Sequence, residues 1–175
     1  MLQIDNNYRN ASIFVPAVIS SSWWLVLYLP LLLPLRAALI LVNQFGSSLQ
    51  NKQQDAKIAI IAAPTIFCRM EKIAPDLLKQ SQLLEFDRRF QVYENFTFYD
   101  LNFPLAEQVK KLPEKSFDVV LADPPFWLPE YLNKLFETIN FIAKEHAKVI
   151  VCAGPPMIEF MEESKGFTTC PYSHG

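Results

Sequence analysis

Asp123-Pro124-Pro125-Phe126 follows directly on the apolar run Phe117-Asp118-Val119-Val120-Leu121-Ala122. A carboxylate and a proline-flanked carbonyl can both accept hydrogen bonds from one NH2 group, while neither Pro124 nor Pro125 has an N–H to donate back. The four residues describe an acceptor-only cradle for an amine. Phe126 adds an aromatic wall able to pack on a flat base or an alkyl-ammonium group. A proline-rich turn after a strand is also ordinary punctuation, so the chemistry depends on what the neighbouring elements bring beside it.

Three apolar runs end on an acid: Gln82 to Phe86 at Asp87, Phe96 to Tyr99 at Asp100, and Phe117 to Ala122 at Asp123. Taken singly, each could be a solvated strand cap. In a doubly wound sheet, however, the carboxyl ends of the strands line one rim, and acids placed there converge on one crevice. The acid after the second strand is placed for ribose hydroxyls and the next for an adenine amine or a nearby hydroxyl.

The turn after the first strand reads Ala62-Ala63-Pro64-Thr65, and no glycine occurs between Gly46 and Gly154. A phosphate-cradling loop needs glycines so that the backbone can approach the anion, which disfavours NAD and ATP. S-adenosylmethionine has ribose and adenine, no phosphate and a positive sulfonium, and suits an acid-rich, glycine-poor rim. With that donor the cradle would hold a methyl-accepting nitrogen.

These residues need strands to position them, and from Asp55 onward short apolar runs alternate with amphipathic segments, as βαβ units require. Lys57 to Ala62 reads as a strand buried on both faces. Thr65 is expected to cap a helix carrying Phe67, Met70, Ile73 and Leu77 at helical spacing. Strands are expected over 82–86, 96–99, 117–122 and 148–152, with a sixth begun at 167–170. Helices are expected around 105–112, over about 130–143 with Leu132, Leu135, Phe136, Ile139 and Ile142 on the buried side, and through Met157, Phe160 and Met161.

With 175 residues the chain can hold one domain with a proper core, and its 51% hydrophobic content is locally concentrated. Arg36 is the only charge from Asn10 to Asn51. Residues 1–51 are expected to be an apolar leader and residues 52–175 the catalytic domain. Residues 13–42 are long enough to cross a bilayer, for which about 20 apolar residues suffice. Pro16, Pro30 and Pro34 interrupt the stretch, and Arg36 would cost about 2.5–3.5 kcal/mol at the membrane centre. Membrane association through 13–42 and a plain, poorly structured leader both stay open.

Before residue 52 only Arg9, Arg36 and Asp5 are charged, so the remainder is near neutral and carries no basic stripe. That disfavours nucleic acid as a partner. Cys68, Cys152 and Cys170 have no paired spacing, and His146 and His174 are isolated, which argues for reduced thiols and against a metal site.

The stretch Ile58 to about Cys170 resembles the eukaryotic protein-lysine methyltransferases of elongation factor 1-alpha, historically grouped as N6-adenine-methyltransferase-like. The likeness is carried by Ala63-Pro64-Thr65, by Leu84-Glu85-Phe86-Asp87-Arg88-Arg89-Phe90, by Phe96-Thr97-Phe98-Tyr99-Asp100, and by Ser116 through Phe126. The Asp-Pro-Pro-aromatic block is shared with many amino-methyltransferases; its combination with the other blocks is more specific.

The resemblance implies a Rossmann-like class I methyltransferase sheet, S-adenosylmethionine as donor, and a lysine of elongation factor 1-alpha as acceptor in the cytoplasm. Asp123, Pro124, Pro125 and Phe126, with Trp127, would surround the acceptor nitrogen. Pro64, Thr65, Asp87 and Asp100 would hold the donor.

Two departures stand out: Gln44-Phe45 is followed by Gly46-Ser47 where relatives have Gln-Phe-Trp-Tyr, and relatives continue past Cys170 into closing strands. A sheet short of its last strands, with an exposed edge, is therefore expected. An adenine-N6 methyltransferase of nucleic acid, with the same loop holding a flipped base, and an inactive truncated or membrane-tethered relative are the alternative functions.

Overall fold

The computed structural model describes residues 12–15, 56–124, 128–153 and 157–171. Seven strands form one sheet: β1 (Ser12–Val15), β2 (Ile58–Ile61), β3 (Ser81–Glu85), β4 (Phe96–Phe98), β5 (Phe117–Ala122), β6 (Ala143–Cys152) and β7 (Thr168–Pro171). Their order is β4-β3-β2-β5-β6-β1-β7, and every pairing is parallel. Helices cross between them: α1 (Pro64–Ile73), α2 (Pro75–Lys79), α3 (Glu107–Lys110), α4 (Pro129–Ile142) and α5 (Ile158–Lys165). This is the α/β, Rossmann-like sheet that the alternating apolar runs predict.

The two-residue period of the strands divides the core into two layers. Ala59, Ile61, Leu84, Val120, Ala122, Val149 and Val151 meet α4 and α5 through Leu132, Leu135, Phe136, Ile139, Ile142 and Met161. The alternate residues Ile58, Ile60, Leu83, Val119, Leu121 and Ile150 meet α1 through Ile66, Phe67 and Met70. The five residues expected on the inner side of α4 are all buried, each contributing roughly 1.5–3 kcal/mol of apolar burial.

Several boundaries differ from the sequence expectation. Thr65 does not cap α1: Ala63 is the N-cap, without a side-chain cap bond, and Pro64 opens the helix. Proline's fixed φ suits the first helical position, so it sets the boundary one residue ahead of the threonine. The helix ends at Ile73 and does not run on to Leu77, because Pro75 pushes Ala74 out of the helical region to φ −151, ψ 61. Leu77 lies in the separate short α2. The helix expected over 105–112 is the single turn α3.

β6 begins at Ala143, well before Lys148. Its register against β5 jumps from Phe117↔Ala143 to Val119↔Lys148, an irregularity that leaves the polar first half outside the apolar pattern. Gly166, at φ 69, ends α5 in the left-handed conformation.

The leader is not wholly apart from the sheet. Ser12–Val15 lies between β6 and β7, pairing Ser12 with Ile150 on one side and with Thr168 on the other. A strand from the N-terminal segment thus completes the seven and covers the edge that β6 would present. Residues 16–55, with most of the 13–42 stretch, lie outside the described residues. Among the described residues no helix is long and apolar enough to cross a membrane.

Candidate active site

Parallel pairing in register brings the strand ends to one rim. Ile61 pairs with Ala122 of β5 and with Leu84 of β3, and Glu85 pairs with Phe98 of β4. The next residues out are therefore Ala62 after β2, Phe86 and Asp87 after β3, Tyr99 and Asp100 after β4, and Asp123 after β5. The three acids that end apolar runs share that rim, the position where open α/β sheets take ligands.

Asp123 follows the central strand, and its backbone N–H donates to the Ile61 carbonyl at 3.0 Å. Its carboxylate has no hydrogen-bond partner among the described residues, and burial pushes its pKa up to about 6. Beside it stands Cys152, one residue beyond the Ala122↔Val151 pair. Burial first, and the neighbouring Asp123 charge second, push the Cys152 thiol well above its ordinary range. Pro124 is buried. Pro125, Phe126 and Trp127 lie outside the described residues, so two of the four acceptor-loop residues have no place in the observed geometry.

Asp87 makes two uses of its carboxylate. Oδ1 accepts the Arg89 backbone N–H at 2.9 Å and caps the 3-10 turn Arg88–Val92, while Oδ2 accepts from Arg89 Nε at 2.7 Å. The Arg89 hydrogen bonds hold the Asp87 carboxyl below its usual range. The backbone N–H of Asp87 donates to Glu85 Oε1 at 2.9 Å, which fixes the corner. Carboxylate oxygens have lone pairs beyond these bonds, so a hydroxyl pair can still be accepted. Asp100 uses only Oδ1, which accepts from Asn102 N at 2.9 Å and Asn102 Nδ2 at 3.1 Å.

Next to these acids lies an aromatic surface. Phe86 is 63% exposed and sits 5.5 Å from Phe98, over whose ring the Arg88 guanidinium packs at 4.0 Å. Pro64 and Thr65 are half-buried in the first turn of α1, immediately after the N-cap Ala63. Ala62 itself has φ 53, a left-handed conformation that a non-glycine residue adopts at a cost.

The sequence pattern assigns no place in the site to Ala62, Cys152 or the Arg89 clamp. An Asp-x-Arg spacing at a strand end could have suggested the clamp. Nothing in an Ala-Ala-Pro string announces a positive φ.

The donor set fits a nucleoside sulfonium. The rim presents carboxylates, a flat aromatic surface and a glycine-free turn, and the described residues near Asp123 offer no cation to repel a positive sulfur. Among the described residues no group of three His, Cys, Asp or Glu gathers as a metal site would.

Residues 38–174 match the family described as probable N6-adenine methyltransferase. Among curated proteins, the chain is 39% identical to EEF1A lysine methyltransferase 1 of Gallus gallus over 118 residues, covering 66% of this chain and 53% of that protein. For the Danio rerio protein of the same name the values are 35% over 128 residues, 71% and 75%. For the Homo sapiens protein they are 32% over 120 residues, 68% and 54%. The chain thus spans about half the length of most of these relatives and three quarters of the Danio rerio protein. No solved structure matches. With most of its length matched, the chain belongs to the probable N6-adenine methyltransferase family.

Proposed function

We propose that this protein is an S-adenosylmethionine-dependent N-methyltransferase whose acceptor is the side-chain amine of a lysine in elongation factor 1-alpha. One observation carries the reading: Asp123 ends the central strand with a desolvated carboxylate that no described residue satisfies, on the same rim as Asp87 and Asp100. The names of the relatives supply the acceptor protein. A cytoplasmic location accords with that acceptor and with free thiols.

When bound, the donor supplies an activated methyl group on a positive sulfur. The residues of this chain do the rest. Asp87 accepts from the ribose hydroxyls, Asp100 from the adenine end, and Phe86 with Phe98 offers the flat surface. Pro64 and Thr65 border the methionine part. At Asp123 the carboxylate accepts from the lysine nitrogen and the Pro124 carbonyl takes a second hydrogen bond.

A free lysine, with pKa about 10.4, gives up its proton at pH 7 at a cost of about 4–5 kcal/mol. That proton leaves to bulk water before the amine enters the site, and the acceptor-only cradle then orients the neutral nitrogen. Alignment along the nitrogen–methyl–sulfur line then supplies much of the rate.

The test is a methyl-transfer assay with labelled S-adenosylmethionine, offering purified elongation factor 1-alpha in one arm and adenine-containing oligonucleotides in the other. Label on a lysine, lost in Asp123→Ala, is the expected result. Label on the oligonucleotide alone would replace the acceptor with an exocyclic base amine, and label on neither would favour an inactive relative.

A further inference from the structure

The segment between β4 and α3 carries Asp100, and both of its ends are tied to one atom outside it. Thr138 lies in the middle of α4 and is fully buried. Its hydroxyl donates to the Pro104 carbonyl at 2.9 Å. A carbonyl cannot donate and the hydroxyl has one proton, so the second contact, to Tyr99 Oη at 3.0 Å, runs from the buried tyrosine to Thr138 Oγ1.

A threonine in a helix ordinarily turns its hydroxyl back on its own helix. Here it reaches across the core and closes the loop 99–104 at both ends. Within that loop Asp100 Oδ1 accepts from Asn102, and the Phe103 N–H donates to the Asp100 carbonyl at 2.9 Å. Asp100 Oδ2 has no partner among the described residues.

We propose that Thr138 is the positioning residue of the cofactor loop: by gathering Tyr99 and Pro104 onto one buried hydroxyl, it fixes Asp100 so that the free carboxylate oxygen stays available to an adenosine amine or hydroxyl. This role rests on the S-adenosylmethionine reading above. Loss of the hydroxyl would orphan a half-buried carbonyl and a buried phenol at once, and the loop would open to satisfy them.

The full chain, with Thr138→Val, Thr138→Ser, Tyr99→Phe and Asp100→Ala, tests this by amide exchange and by calorimetric titration with S-adenosylmethionine. In Thr138→Val the Asn102 and Phe103 amides exchange about tenfold faster or more, and cofactor affinity falls about tenfold. Thr138→Ser restores both. Tyr99→Phe, which keeps the Pro104 bond, gives a smaller loss and serves if the valine variant fails to fold. Combined with Asp100→Ala, Thr138→Val no longer changes affinity.

Equal loss with and without Asp100 would show general loosening and overturn the role, as would failure of serine to rescue. Unchanged exchange in Thr138→Val sinks the clasp alone. No binding by the unsubstituted chain sinks the cofactor reading and this role with it.

Discussion

Asp123 donates its backbone N–H to the carbonyl of Ile61 at 3.0 Å, one residue past the end of both strands. The backbone is thereby still held by the sheet where the side chain has already left it. A carboxylate mounted this way is fixed in position yet largely withdrawn from water, with no described donor to offset the loss. That is an unfavourable arrangement for a structural residue and a suitable one for a group awaiting an amine.

The cost is measurable in stability. The folded Asp123 pKa is pushed up to about 6, against about 3.9 in the unfolded chain. Between these values the native state holds a proton that the unfolded chain has released, so stability falls as pH rises from about 4 to about 6 and stays lower above it. The loss is at most about 3 kcal/mol. Asp123→Asn, neutral throughout, should unfold at higher temperature than the unsubstituted protein at pH 8 and lose that advantage near pH 4. The same variant should lose methyl transfer by about 100-fold or more. Scanning calorimetry across pH, beside a single-turnover assay, checks both; equal melting temperatures at pH 8 would contradict the burial account.

The same titration predicts the acid limb of the rate. The cradle is acceptor-only while Asp123 is ionised; protonated, Asp123 adds an O–H donor facing a nitrogen whose own lone pair must stay free for the methyl group. In kcat/KM, which reports the free enzyme, Asp123 protonation should therefore add its own tenfold fall per pH unit below about pH 6, on top of the fall that lysine protonation gives. Free lysine ionisation alone would give that slope continuously up to about pH 10. A steepening of the profile near pH 6 is the distinguishing sign.

Burial separates residues that hold the fold from residues that meet the ligand. Leu135 is fully buried between α4 and the sheet, whereas Phe86 is 63% exposed beside Phe98. Leu135→Ala should cost about 2–5 kcal/mol through the cavity it leaves, without changing cofactor affinity in the fraction still folded. Phe86→Ala should change stability by no more than about 0.5 kcal/mol yet weaken S-adenosylmethionine binding several-fold through the lost stacking surface. Chemical denaturation and isothermal titration on both variants would reveal whether the two effects are exchanged.

Much of this arrangement was legible in the residue pattern. Short apolar runs ending in Asp87, Asp100 and Asp123 give the strands, their parallel pairing and the rim, because burial on both faces permits few other solutions. The inner side of α4 was readable for the same reason. Less legible were features set by single backbone positions or by distant pairing. Pro64 overruled Thr65 as the boundary of α1, Pro75 divided one expected helix into two, and Ser12–Val15 joined the sheet from a segment whose composition suggested a leader. Pairing between residues 12 and 150 is a tertiary event that no local window encodes.

Ala62 shows how a position with no sequence signal can still be tested. It holds φ 53 where β2 turns into α1, and its N–H still donates to Leu84 O at 2.9 Å, so the turn is locked from the sheet side. A left-handed residue with a Cβ costs about 1–2 kcal/mol, and a β-branched side chain costs more because its second γ-branch adds to the crowding. Ala62→Val should therefore destabilise by about 2 kcal/mol or more. Ala62→Gly should lie within about 1 kcal/mol of the unsubstituted protein, since relief of strain is offset by the greater freedom of the unfolded glycine. If the turn serves only the fold, the glycine variant should bind S-adenosylmethionine as the unsubstituted protein does. If the fixed φ is what places Pro64 and Thr65 against the donor, affinity should drop about three- to tenfold while the melting temperature barely moves; denaturation midpoints read beside cofactor titration distinguish the two.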